Sequence, residues 1–281
     1  MIQAVHPAAR TERSRRQPEG RWPPPRWRLT LRGLLLALVA GCAAPPEPRP
    51  PPAAAGLAPP AVPRVPHSFS HAKRLARGIY RDHRTTLYCQ CAYDGRQRIS
   101  GDACGYVPRH PGARSGRVEW EHLVAAYEFG AQRACWREKT CHDRRGRRFG
   151  GRRCCRQRDP EFRRMEADLM NLSPEIGELN SDRSNFRFGE VEGEAREYGA
   201  CDFEIDRERD RVEPAPSIRG DIARAYLYMH DTYGQAALPL APDERARFEV
   251  WHRADPPSTW ERVRNERIAT IQGVRNAWIE R

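Results

Sequence analysis

The chain has no Cys-x-x-Cys pair and no His-Glu-x-x-His segment. The first absence argues against a tetrahedral zinc knuckle, the second against a zincin-type metalloprotease. No apolar run approaches the roughly 20 residues that a membrane-spanning helix needs. The stretch from Leu34 to Ala40 stands out as apolar and is far too short. No internal repeat is visible, which removes solenoid and propeller architectures. What the sequence does have is positive charge, and it is unevenly spread. The net charge is +12 over 281 residues. Residues 1–66 hold ten Arg against three Glu, so +7 of that belongs to the leading segment. Residues 133–164 carry thirteen Lys/Arg against four Asp/Glu, a local excess of +9. The remainder of the folded part is then slightly acidic. One basic face for a polyanion fits this better than a uniformly sticky surface.

The leading segment carries export features. Arg26, Arg28 and Arg32 precede the short apolar run, the order found in a signal peptide. Val39-Ala40-Gly41-Cys42 resembles the lipobox of bacterial lipoproteins, which implies a signal peptide over residues 1–42 and lipidation of Cys42. Residues 43–66 hold ten prolines in 24 positions and read as an extended tether. That leaves 67–281 as one folded domain, exported to the periplasm, held on the outer membrane or secreted. Its eight cysteines, Cys89, Cys91, Cys104, Cys135, Cys141, Cys154, Cys155 and Cys201, are an even number in an exported chain and predict a disulfide framework.

Periodicity predicts a helix over Ser70–Asp82 with Ser70 as cap, a short strand over Thr85–Cys91, loop over 94–116 and a strand over Arg117–His122. The segment 131–160 reads as an Arg/Gly/Cys loop. A helix follows at Pro160–Leu169, and another starts at Pro174, with proline in its first turn. Arg219–Tyr233 reads as an amphipathic helix with Ile222, Tyr226, Met229 and Tyr233 on its apolar stripe. Two more helices are expected at 242–252 and 258–271. The pattern is α+β, mixed and helix-rich.

Two segments carry chemistry. Glu119-Trp120-Glu121-His122 places a carboxylate beside an imidazole, a hard-cation ligand next to a base. Met165 to Pro174 and Gly177 to Phe186 gather carboxylates, amides and an Arg, oxygen-rich chemistry suited to Mg²⁺ or Ca²⁺. Together they resemble the endonuclease I family of periplasmic and secreted bacterial nucleases, whose site is a ββα-metal finger. The resemblance covers nearly all of 67–281. It runs from Ser68-Phe69-Ser70 and Leu87-Tyr88-Cys89-Gln90-Cys91 through Thr232-Tyr233-Gly234 to Ile268–Gly273, and is sharpest over Glu119–Gly130 and Met165–Phe186.

The resemblance implies His122 as general base, Glu121 and Asn180 as the protein ligands of Mg²⁺ (replaceable by Ca²⁺ or Mn²⁺), and Arg152 on the scissile phosphate. Arg152 is placed by Gly150-Gly151-Arg152 ahead of Cys155 and by the seven-residue step from Cys155 to Phe162. Glu166 and Asp168 look like carboxylates supporting the ligands. Arg144, Arg145, Arg147, Arg148 and Arg153 are the expected nucleic-acid contacts. The expected activity is largely sequence-nonspecific cleavage of DNA, with RNA as a further substrate, by a monomer that meets the membrane only through its lipid anchor. The alternative is a catalytically inactive nucleic-acid-binding lipoprotein. Departures from the family are Ala125 in place of Pro, Met170 where His is frequent, and Val263 where one of a C-terminal Cys pair would stand. An Arg-rich insertion over 136–151 brings the extra pair Cys141 and Cys154. The expected bridges are Cys141–Cys154 and Cys135–Cys155, with Cys89, Cys91, Cys104 and Cys201 pairing among themselves.

Overall fold

In the computed structural model, which describes residues 62–100, 104–193 and 196–280, the chain alternates short strands with helices around one core. The signal segment, Cys42 and the tether up to residue 61 lie outside the described residues. The last tether residues dock on the domain: Pro63 and Pro66 are buried, and Arg64 N–H donates to the Gln272 carbonyl at 2.8 Å.

Helix α1 (Phe69–Ile79) is capped by Ser68, not Ser70; the Ser68 side chain accepts from the His71 amide. Its buried residues Ala72, Ala76 and Ile79 recur at helical spacing. No regular strand forms over 85–91: Thr85 makes a single bridge to Ala92. Strand β1 (Val118–His122) and helix α2 (Ala126–Gly130) follow.

The segment expected as loop is ordered. It contains α3 (Ala134–Arg137), the hairpin β2 (Cys141–His142) and β3 (Arg148–Phe149), and α4 (Gly151–Arg158). Its order comes from polar and covalent links together with Trp136 and Phe149, which pack against the core. The Asp143 carboxylate accepts from the amides of Arg145 and Arg147, closing the hairpin, and Gly146 supplies the positive φ of +75°. Disulfides Cys135–Cys155 and Cys141–Cys154 then tie α4 to α3 and to β2.

Helix α5 (Pro160–Ala167) is capped by Asp159 and leads through a single 3₁₀ turn to β4 (Leu172–Ile176). The helix expected from Pro174 is therefore a strand, and α6 (Gly177–Arg183) begins only after it. The proline is compatible because its carbonyl accepts from Leu87 N–H. A strand residue presents its N and O to the same side, so the missing N–H falls on that outer edge and the β1–β4 ladder loses nothing. Strands β1 and β4 pair antiparallel, with Glu121 opposite Ser173 and His122 opposite Leu172. A Cβ at Gly177 would lie 2.8 Å from the Arg114 carbonyl, so the strand-to-helix corner needs glycine.

Strands β5 (Arg187–Phe188), β6 (Phe203–Asp206) and β7 (Arg211–Pro214) form a sheet in the order β5-β7-β6. Helices α7 (Arg219–Tyr233), α8 (Pro242–Ala254), α9 (Thr259–Gln272) and α10 (Ala277–Glu280) complete the chain. Helix α7 is less amphipathic than its stripe implies. Ala223, Arg224, Leu227 and Tyr228 are buried as well as Ile222, Tyr226 and Met229, so it runs through the core. The buried Arg224 on it is held by both carboxylate oxygens of Glu261, at 2.7 and 2.6 Å.

The two remaining disulfides are Cys89–Cys201 and Cys91–Cys104. The first spans 112 residues and the second 13. Loop-closure entropy predicts that removing the long bridge costs about 4–5 kcal/mol and the short one about 3 kcal/mol. Urea unfolding of Cys89→Ala/Cys201→Ala and Cys91→Ala/Cys104→Ala variants checks this; an equal or reversed order would mean that the unfolded chain is not what the bridges act on.

Candidate active site

Strand β1 delivers Glu121 and His122 to its end, and α6, directly after β4, delivers Asn180 and Arg183. Two antiparallel strands and a helix thus form the finger that the resemblance implied. Glu121, His122, Asn180 and Arg152 all line one cleft of about 480 Å³, with Phe69 and Glu119 in its walls.

The His122 ring is oriented by α5. Its Nε2 lies 2.8 Å from the Glu166 backbone carbonyl. A carbonyl only accepts, so Nε2 carries the hydrogen and Nδ1 keeps its lone pair. The Arg152 Nη2 sits 3.3 Å from Nδ1. Burial and the positive charge of Arg152 hold the ring's pKa down to about 3, so His122 is neutral at physiological pH. Phe69 packs on the ring with centroids 4.6 Å apart. Arg152 is itself anchored, its Nε donating to Glu166 Oε1. Burial alone would raise the Glu166 pKa, but hydrogen bonds from Arg156 and the charge of Arg152 outweigh it and lower it.

Glu121 is 3% exposed. The two hydrogen bonds to it, from the Tyr88 hydroxyl at 2.9 Å and Arg183 Nη1 at 3.0 Å, both fall on Oε1. Burial pushes its carboxyl above the usual range, while Arg183 and Tyr88 pull it down. The Asn180 Nδ2 lies 3.5 Å from Glu119 Oε2, which leaves Oδ1 as the amide atom for a cation. Glu119 is occupied by Arg114 and Arg117, at 2.6 and 2.7 Å.

Among the described residues no three His, Cys, Asp or Glu side chains converge as a metal cluster. A four-ligand structural zinc site has no counterpart there. Apart from Glu119, which two arginines occupy, the cleft offers one carboxylate, Glu121, and one carboxamide, Asn180. These are hard oxygen donors that leave most of a coordination sphere to water and substrate, a donor set that fits Mg²⁺.

The remaining residues expected at the site are dispersed. Asp168 does not support the ligands. It is buried away from the cleft, where it accepts from Tyr228 and Tyr233 hydroxyls, Gln272 Nε2 and the Met170 amide. Its work is to join the turn before β4 to α7 and α9. Arg144, Arg145, Arg147 and Arg148 sit on the β2–β3 hairpin, outside the cleft lining. Arg147 pairs with Asp143, Arg148 Nε donates to the Lys139 carbonyl, and Arg153 lies 3.7 Å over the Phe149 ring. Sequence reasoning missed Arg183, Tyr88, Phe69 and Arg156. For Arg183 a signal existed: it follows Asn180 by three residues on one helix, which puts both on the same face.

The sequence model of the family described as Endonuclease I matches residues 76–281. The chain is 41% identical over 218 residues to a periplasmic deoxyribonuclease of Aeromonas hydrophila, covering 76% of this chain and 86% of that one. It is 42% identical over 218 residues to an extracellular deoxyribonuclease of the same organism, covering 76% and 88%. It is 36% identical over 215 residues to Endonuclease-1 of Buchnera aphidicola subsp. Acyrthosiphon pisum, covering 75% and 80%. With the finger, its buried carboxylate and its neutral histidine in place, the match over most of the chain shows that it belongs to the endonuclease I family.

Proposed function

We propose that this protein is an exported, metal-dependent and largely sequence-nonspecific endonuclease that hydrolyses phosphodiester bonds in DNA, with RNA as a further substrate. The observation that carries the reading is the state of His122: neutral, tautomer fixed by the Glu166 carbonyl, lone pair on Nδ1 in a cleft shared with Glu121 and Asn180. The names of the relatives support DNA as the substrate and a periplasmic or extracellular location. Lipidation of Cys42, a monomeric state and Mg²⁺ at Glu121 and Asn180 belong to the same proposal.

His122 Nδ1 takes a proton from water as the water oxygen attacks phosphorus and the opposite P–O bond breaks. The resulting imidazolium keeps its Nε2–H bond to the Glu166 carbonyl, so the ring does not turn as it gains charge. Arg152 moves its guanidinium from Nδ1 to the phosphate, which both frees the base and neutralises an oxygen of the substrate. Mg²⁺ bound by Glu121 and Asn180 would supply electrostatic stabilisation of the charge that grows on the phosphate and the departing oxygen. Arg183 holds Glu121 in place and opposes the rise that burial imposes on its carboxyl. The hairpin arginines add unspecific attraction for neighbouring phosphates, which matches a substrate that is a polymer rather than a small ester.

Three outcomes follow for the oxidised protein. It should nick supercoiled plasmid with Mg²⁺ and stop with EDTA; His122→Ala should cut activity by roughly 10²–10⁴-fold while DNA binding persists. Persistence of nicking in EDTA would remove the metal, and near-parental turnover of the variant would remove His122. Glu121→Gln and Asn180→Ala should each raise the Mg²⁺ concentration for half-maximal rate, with partial recovery at high metal; an unchanged metal titration would take both residues out of the ligand set. Replacing Arg144, Arg145, Arg147 and Arg148 by Gln should flatten the plot of log binding constant against log salt, by up to about 0.9 for each phosphate no longer neutralised. An unchanged slope would mean that the hairpin faces away from the substrate.

A further inference from the structure

One turn of α4 beyond Arg152 lies Arg156, at the i+4 position of the same helix face. The two guanidinium groups share a single carboxylate. Arg156 Nε donates to Glu166 Oε1 at 2.8 Å and Oε2 at 2.7 Å, and Arg152 Nε donates to Oε1. Glu166 is 1% exposed on its side chain, whereas Arg152 and Arg156 are 38% and 42% exposed. The buried acid therefore works as an internal anchor for two half-exposed cations.

Two further observations turn that anchor into a binding surface. Both guanidinium groups lie over the Phe69 ring, 5.3 Å and 5.7 Å from its centroid, so each is fixed by a cation–π contact as well as by Glu166. Both spend Nε on the anchor and leave the Nη groups pointing on. Arg152 Nη2 reaches His122, and among the described residues neither Nη of Arg156 donates to a protein acceptor. Two positive charges against one negative leave an excess of one. The fork geometry of a guanidinium matches phosphate oxygens. Arg152 lines the catalytic cleft and Arg156 does not, so the second fork stands just outside the place where the scissile phosphate would sit.

We propose that Arg156 is a second phosphate-binding site, which holds the phosphate next to the scissile one on the same strand. The proposal rests on the nuclease reading above. Its chemistry is an anionic phosphodiester oxygen accepting from the Nη groups, with Glu166 and Phe69 keeping the guanidinium from folding back. Two adjacent phosphates gripped by two prepositioned cations would set the strand's register over His122. Sequence independence is retained, because only backbone is touched.

The test uses oligothymidylates whose backbone is charge-neutral methylphosphonate except at one phosphodiester, or at two adjacent ones. The parent enzyme with Mg²⁺ should cleave the strand with two by about tenfold more in kcat/KM than the strand with one, after correction for the number of cleavable bonds. Arg156→Ala should lose that preference, and Arg156→Lys should keep part of it. A merely structural role, through loosening of Glu166 and Arg152, would slow both strands together and preserve the ratio; that result overturns the proposal, as does a parent enzyme with no preference. The nuclease reading fails separately and earlier, through a parent enzyme that leaves plasmid DNA intact in Mg²⁺.

Discussion

The guanidinium of Arg183, with 1% of its side chain exposed, is the interaction on which the catalytic wall depends. It pairs with Glu121 at 3.0 Å and donates to the backbone carbonyls of His122 and Leu123 at 2.8 and 2.7 Å. Its Nε donates to the Phe186 carbonyl at 3.0 Å. One cation from α6 thereby fixes the end of β1, orients the Glu121 carboxylate and closes the turn after its own helix. A buried ion pair is weak evidence of stability, because desolvation offsets most of its attraction. Breaking one is severe, because the surviving charge is left in a dry site. Here the burden would fall on Glu121, and also on Glu128, which lies 3.9 Å from Arg183.

A second buried acid lies on the same strand pair. Glu175, on β4 opposite Glu119, is buried and accepts the amides of Tyr88 and Ile176. Burial raises its pKa to about 8, opposed by those amides and reinforced by the charge of Glu121. Burial thus works against the charged form of both acids on this strand pair, and Arg183 works for it at Glu121. On the other side of His122 the balance is opposite: Glu166 is ionised and two arginines surround it. His122 therefore sits between one buried acid paired with a buried arginine and another paired with two half-exposed ones.

Much of this was legible in the sequence, and the failures have physical causes. Helices α5, α7, α8 and α9 stand where the sequence pattern placed them. The motif residues Glu121, His122, Asn180 and Arg152 do meet in one cleft. Strand β4 was hidden because proline suits a helix first turn as well as an outer strand edge. The insertion was hidden because an Asx turn and two cross-links leave no hydrophobic pattern. Strands β5 to β7, of two to four residues, are too short to show alternation and exist only through pairing across the chain. Asp168 and Glu166 stand two apart and look equivalent as letters, yet one is locked to tyrosines of α7 and the other to arginines of α4. Arg183 could be read as one more surface arginine until the fold closed around it.

The adjacent cysteines of α4 point to different neighbours, Cys154 to β2 and Cys155 to α3. The helix that carries Arg152 is thus stapled twice at its own level, and the residues between Cys141 and Cys154 form a closed covalent ring that hangs from it. Arg152 belongs to that ring, two residues before Cys154, while Gly146 stands at its tip. Strain introduced at the tip therefore meets a covalent staple before it leaves the ring, at Cys141 on one side and at Cys154 on the other.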